Sequence, residues 1–321
     1  MILVGCIGTV IATISFFENV LLFYVFAHSR ILRKRSLLYL TCLSVCDIFI
    51  SISYIGIMSI QVYADYYHSF ALFKLWHDYL CVTFAISHIT ICSASFLIIA
   101  ATFERYLQMN VSNRCAVLFR FIKNHQKGVV IIAFFLGIIF RGTIFFEIQI
   151  FYIEGCEGFA SMGVRLTELA RNQYFDGIWR FWVRRIATVF VPFFVLAYCN
   201  AAIVYKLHKS NREQVIKSFA FCPLMGSRAN ICQEKTRLRT ATRMLIMVVT
   251  CYLIANIIDV FIASWEYIDG ESLRNFGEFY TIATDTSSLL SVLSASLRLP
   301  IYIANDEVIR HEVIIIYLLQ G

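Results

Sequence analysis

Residues 81–107 read CVTFAISHITICSASFLIIAATFERYL, and from 79 to 103 the chain carries no Asp, Glu, Lys or Arg. Then Glu104, Arg105 and Tyr106 stand side by side. A helix rises 1.5 Å per residue, so ~20 apolar residues cross the hydrocarbon core of a bilayer. The run is long enough to do so and offers almost nothing a soluble helix would turn toward water. Its charged end predicts a spanning helix that stops at a membrane boundary.

Six further apolar stretches flank it, at 2–27, 37–63, 128–151, 181–207, 241–264 and 279–303, which with 79–107 make seven spans. Arg141 interrupts the fourth, and Asp285 and Arg298 interrupt the seventh. Hydrophobic residues make up 59% of the 321 and charged residues 15%, where a soluble domain carries about 25% charged. No repeat, linker or low-complexity tract divides the chain, so residues 1–321 read as one all-α membrane domain, a seven-helix bundle. The first stretch lacks the basic start and small-residue cleavage site of a signal peptide and reads as a true span. The tail 305–321, NDEVIRHEVIIIYLLQG, predicts a short amphipathic helix along the membrane, without a cysteine to carry a lipid.

Basic residues cluster after the first span (Arg30, Arg33, Lys34, Arg35) and after the third (Arg114, Arg120, Lys123, Lys127). They cluster again between the fifth and sixth (Lys206, Lys209, Arg212, Lys217, Arg228, Lys235, Arg237, Arg239, Arg243). Basic loops stay cytoplasmic, which predicts an outer N-terminus and an inner C-terminus. The net charge of +7 is thus a topology signal and a contact for anionic lipid, with no nucleic-acid partner implied. Cys81 and Cys156 both fall on the oxidising side and are expected to pair, the alternative being two free thiols. The sequon Asn110-Val111-Ser112 falls on the cytoplasmic side and is expected to stay unglycosylated.

Ordered motifs in separate spans resemble the rhodopsin-like G-protein-coupled receptors along essentially the whole chain. Asn19 in FFENVLL is similar to the family's helix-one asparagine, and Asp47 in LSVCDIF to its intramembrane aspartate. Glu104-Arg105-Tyr106 resembles D/E-R-Y, Pro192 the helix-five proline, and RLPIY, with Pro300 and Tyr302, a variant of N-P-x-x-Y. The fourth span has no Trp, Tyr252 and Ile254 replace the Trp and Pro of C-W-x-P, and Asn200 takes the usual Tyr place. Arg298 replaces the helix-seven Asn, and Cys81 to Arg105 is one residue short. RLPIY, CYLIAN and WEYID together resemble divergent invertebrate neuropeptide receptors of the FMRFamide type.

The resemblance implies a plasma-membrane, non-enzymatic receptor without cofactor, coupling an extracellular ligand to a heterotrimeric G protein. It assigns Glu104, Arg105 and Tyr106 to the activation switch. The carboxylate and guanidinium are expected to satisfy each other until Arg105 turns toward the docked G protein; a headgroup anchor is the plain alternative. A lone carboxylate at the position of Asp47 costs about 2.5–3.5 kcal/mol on insertion scales, so it needs a partner. In the family that partner is often sodium; here Arg298 faces it and is expected to substitute, unless it snorkels to the headgroups.

The amine-binding Asp of the third span is absent, its place being Ser87, and residues 279–303 hold no Lys for retinal. The loop after the sixth span is acidic, with Glu266, Asp269, Glu271 and Glu278 against Arg274. Aromatics crowd beside the outer charges, among them Trp265 and Tyr280. Acid plus aromatic suits a cationic, aromatic peptide such as an Arg-Phe-amide terminus. Solvated loop charges and an interfacial aromatic belt account for part of the pattern. The expected pocket comprises Ser87, His88, Arg184, Asp259, Trp265, Glu266, Tyr280 and Asp285. A small-molecule chemoreceptor of the same fold is the nearest alternative. A transporter would call for repeats or broken midplane helices; an intramembrane enzyme would call for clustered catalytic or metal-binding groups, whereas the seven His are scattered.

Overall fold

The computed structural model describes residues 3–33, 37–110, 112–220, 228–269 and 276–320. Lys34, Arg35, Glu271 and Arg274 lie outside these residues, as do the side chains of Arg30, Arg33, Arg212, Lys217, Arg228, Lys235 and Arg237. Among the described residues, seven helices are long and apolar enough to cross a membrane, the architecture of a multi-pass membrane protein. They are α1 (Gly5–His28), α2 (Leu38–Tyr66), α3 (Phe70–Gln108), α5 (Gln126–Glu147), α6 (Phe175–Lys209), α7 (Arg239–Ile268) and α8 (Gly277–Asn305). A short α4 (Asn113–Asn124) joins α3 to α5, and α9 (Glu307–Gln320) follows α8.

α3 is the centre of the bundle, packed against α2, α5, α6 and α7, while α1 closes the ring against α2 and α8. The core runs through Ala12, Leu43, Cys46, Ile50, Leu97, Ile98, Val130, Ala133, Leu196, Val249 and Val292, contributed by all seven spans. A second cluster of Leu22, Val25, Phe26, Val248, Tyr302 and Ile309 seats α9 against the ends of α1, α7 and α8. Asp306 caps α9 by accepting from the Val308 and Ile309 amides at 2.9 and 3.4 Å. Outward-facing Phe17, Ile131, Phe194 and Ile282 are more than half exposed, as apolar residues are where lipid is the solvent.

The ends of the spans differ from expectation for identifiable reasons. α3 begins nine residues before 79, because Lys74 and Asp78 interrupt hydropathy but not helical hydrogen bonding. α6 likewise includes Asp176 and Arg180, and its stretches Phe175–Arg184 and Ile186–Phe190 are π-helical, ahead of Pro192, which lacks an amide to donate. The fourth span ends at Glu147 instead of continuing to 151: Ile148–Tyr152 (IQIFY) alternates β-formers and makes β1, antiparallel to β2 (Met162–Leu166). In α2 a π-turn at Ile55–Ser59 lets backbone carbonyls bond across helices. The Trp76 indole N–H donates to the Ile57 carbonyl at 2.9 Å and the Tyr79 hydroxyl to the Gly56 carbonyl at 2.6 Å.

Small residues set how closely α3 and α5 approach. A Cβ built on Gly137 would overlap Ser93 Oγ and stand 3.1 Å from the Ile89 carbonyl oxygen. Gly137→Ala is therefore expected to push the two helices apart and lower stability by about 1–3 kcal/mol, read as a drop in melting temperature. Gly128→Ala, where nothing lies within 4 Å, is the control and is expected to leave it unchanged.

Candidate functional site

At one end of α3 the Glu104-Arg105-Tyr106 triplet sits where the sequence predicts, but its pairing is different. Neighbouring helical residues point about 100° apart, and residues i and i+1 do not face each other. Glu104, buried, accepts from Gln126 Nε2 of α5 at 2.9 Å. Arg105 Nη1 donates to Gln108 Oε1 at 2.8 Å instead. Among the described residues no ion pair joins Glu104 to Arg105, which corrects the expected mutual pair. Both line a narrow apolar recess with Tyr39, Leu245 and Tyr302. The Tyr106 ring lies 6.1 Å from that of Tyr198 and under Lys206 Nζ at 5.3 Å, and Lys206 reaches Asn110 Oδ1 at 2.5 Å.

In mid-bundle, Arg298 Nη1 donates to Asp47 Oδ2, with the acid fully buried and the arginine 5% exposed. The expected pair is made. The guanidinium supplies beside this carboxylate the positive charge that a sodium ion would otherwise bring. Among the described residues Asp47 Oδ1 and Arg298 Nε have no hydrogen-bond partner, so the pair is neutral in charge yet incompletely hydrogen-bonded. Nearby Asn19 Nδ2 donates to the Ser15 and Ala295 carbonyls at 2.8 and 3.3 Å, tying α1 to α8. Pro300 faces outward, Tyr302 is buried against Phe26, and Asn200 Nδ2 donates to Thr250 Oγ1 at 3.2 Å.

Toward the other end of α3 the bundle opens into a cavity of about 740 Å³ walled by α2, α3, α5, α6, α7 and α8. Ser87, His88, Arg184, Asp259, Glu266 and Tyr280 line it as expected. Trp265 and Asp285 are not among its lining residues, a correction to that set. Trp265 packs into aromatic neighbours, its ring 5.7 Å from Phe261 and 5.7 Å from Phe279, and Asp285 lies on the face of α8 toward Tyr54. Ser95 of α3 lines the cavity, and its Oγ accepts from the hydroxyl of Tyr252 on α7 at 2.8 Å.

Charged groups in and around this cavity are largely matched. Glu147, at the end of α5, takes both Arg184 guanidinium nitrogens at 2.5 and 3.1 Å and lies 3.8 Å from Arg180. Arg180 binds Asp176 at 2.8 Å, and Arg185 pairs with Glu266. The outer acids that suggest a cationic ligand in the sequence are thus partly neutralised by arginines of α6. Sequence reasoning passes over Arg141, which lines the cavity from α5. Its signal is present: a lone cation inside an apolar run is costly and calls for a partner.

Cys81 and Cys156 are both free thiols in the structure, against the expected disulfide. Cys81 Sγ lies 3.7 Å from the Ile148 carbonyl, at the start of β1. The strand then carries the chain on by ~3.3 Å per residue, and Cys156 emerges exposed in the turn beyond it, whereas a disulfide needs Cα atoms within roughly 7 Å. No protein-family model matches the chain, and no curated protein matches its sequence.

Proposed function

We propose that this chain is a rhodopsin-like G-protein-coupled receptor for an extracellular peptide, with its N-terminus outside, its α9 end inside and its place in the plasma membrane. The observation that carries the reading is the arrangement along α3. His88 lines a cavity at one end, and Arg105 stands 17 positions on, about 25 Å along the axis, at the recess where a G protein would insert. Between them Ser95 is tied to Tyr252 of α7, so a ligand that shifts α7 at the cavity also acts on the helix bearing the switch. The basic clusters around α4 and between α6 and α7 supply the orientation. In this reading Gln126 holds Glu104 in the resting state, leaving Arg105 only a local contact to Gln108, which activation exchanges for the G protein.

The test is nucleotide exchange on co-expressed heterotrimeric G proteins of each major class, with cells challenged by free and amidated peptide libraries. The expected result is a saturable response that falls to background in Arg105→Ala while surface display stays at the wild-type level. A response retained in full by Arg105→Ala, or surface display with no exchange on any G protein, would sink the reading. Uptake of a labelled solute by the same cells would move the chain to the transporter class.

A further inference from the structure

Around the cavity, each arginine of α6 has its own carboxylate: Arg180 has Asp176, Arg184 has Glu147 and Arg185 has Glu266. Two charges are left over. Arg141, from α5, makes one hydrogen bond among the described residues, Nη2 to Thr188 Oγ1 at 2.7 Å, and no ion pair. A guanidinium has five donors in a planar fork, so most of its capacity points elsewhere. Asp259, from α7, is hydrogen-bonded to Ser287 of α8 and feels the positive charges of Arg141 and Arg185 through space, but makes no ion pair among the described residues. Both line the same cavity, Arg141 from α5 with Thr188 of α6 beside it, Asp259 from α7 with Ser287 of α8 beside it.

An unpaired charge inside a membrane bundle is expensive and marks a place where a partner arrives. Here there are two of opposite sign on different walls of one cavity. We infer that the ligand is bipolar: a carboxylate received by Arg141 and Thr188, and an ammonium received by Asp259. A carboxylate matches the planar fork and the single positive charge; a phosphate dianion would leave a surplus negative charge near Asp259, Asp176 and Glu266. An amidated terminus would offer Arg141 a carbonyl but no charge. The chemistry is that of an α-amino acid or a short peptide with free ends. A cavity of about 740 Å³ lies within the ~300–1,000 Å³ of sites that enclose small organic ligands, so both sources fit. The inference rests on the receptor reading only for which side the ligand comes from.

The full chain in lipid nanodiscs is melted with free amino acids, and with di- and tripeptide pools in free, N-acetylated and C-amidated forms. At least one free-ended probe is expected to raise the melting temperature, with each capped form about tenfold weaker or more in half-saturating concentration. Stabilisation by single amino acids or only by peptides separates the two sources. Arg141→Gln is expected to equalise acid and amide, and Asp259→Asn to equalise free and acetylated amine. Equal shifts from capped and free probes in wild type, or none from any free-ended probe, would overturn the inference.

The ligand-free variants supply a second, independent measurement. If Arg141 and Asp259 serve a ligand, each single variant melts at or above wild type. If each loses stability and the double variant recovers it, the two merely neutralise one another and the inference fails. Binding without G-protein exchange would leave the site standing and remove the receptor reading. Exchange driven by a doubly capped peptide, with no preference for the free-ended form, would do the reverse.

Discussion

Arg298→Leu is expected to destabilise the bundle by about 3–5 kcal/mol, the cost of leaving a buried carboxylate without its cation. Asp47 has no exposed surface, and the arginine is its one cationic partner among the described residues. The carboxylate must then take up a proton, recruit an ion, or drive the helices apart. The measurement is the melting temperature of purified protein alongside the fraction reaching the cell surface. Adding Asp47→Asn to Arg298→Leu removes the stranded charge and is expected to recover most of the loss, because a buried pair replaced whole is often close to neutral. The same pair predicts how sodium acts. Exchanging sodium for choline is expected to shift the wild-type melting temperature no more than that of Asp47→Asn. In Arg298→Leu, where the carboxylate is bare, sodium is expected to stabilise. A sodium effect in wild type that Asp47→Asn abolishes would show that the guanidinium does not fill the cation's place.

Glu147→Leu is expected to cost a similar amount, about 3–5 kcal/mol, at the cavity end of α5. Glu147 is 4% exposed and receives the Arg184 guanidinium in a two-point contact, with Arg180 beside it. Its carbonyl also accepts from the Thr167 amide at 2.9 Å, so one residue joins α5, α6 and the segment after β2. Removing the carboxylate strands a nearly buried arginine in the cavity wall. Glu147→Gln, which keeps the shape and one acceptor, is expected to lose less. Arg184→Leu combined with Glu147→Leu is expected to melt closer to wild type than either alone. Strictly additive losses in that double-mutant cycle would mean the two side chains do not interact, contrary to the geometry.

The seven spans were legible because each is an apolar run longer than a bilayer needs, and that signal survives charged residues at its ends. The ends were not legible: Lys74, Asp78, Asp176 and Arg180 look like loop residues by hydropathy, yet they sit on continuous helix. The hairpin was hidden because IQIFY reads equally well as the last turn of an apolar helix. Asp47 and Arg298 are legible as a pair because Asp47 is the one charge in its span and Arg298 the one cation in its own, and charges in lipid have few ways to be satisfied. Glu104 illustrates the opposite case. Its neighbour in sequence carries the complementary charge, but helical geometry turns that neighbour away and brings Gln126 of α5 within reach.

The amino-acid sequence by itself determined the membrane as solvent, the number of spans and which residues had to be reconciled with lipid. All of these follow from composition and run length, which do not depend on what packs against what. Only the tertiary structure decided how the charges near the cavity are divided. Arg180, Arg184 and Arg185 are consumed by Asp176, Glu147 and Glu266, while Arg141 and Asp259 stay open to a common space. The reason is that ion pairing acts over a few ångströms across helices whose positions and rotations are set by packing, information that no single span carries.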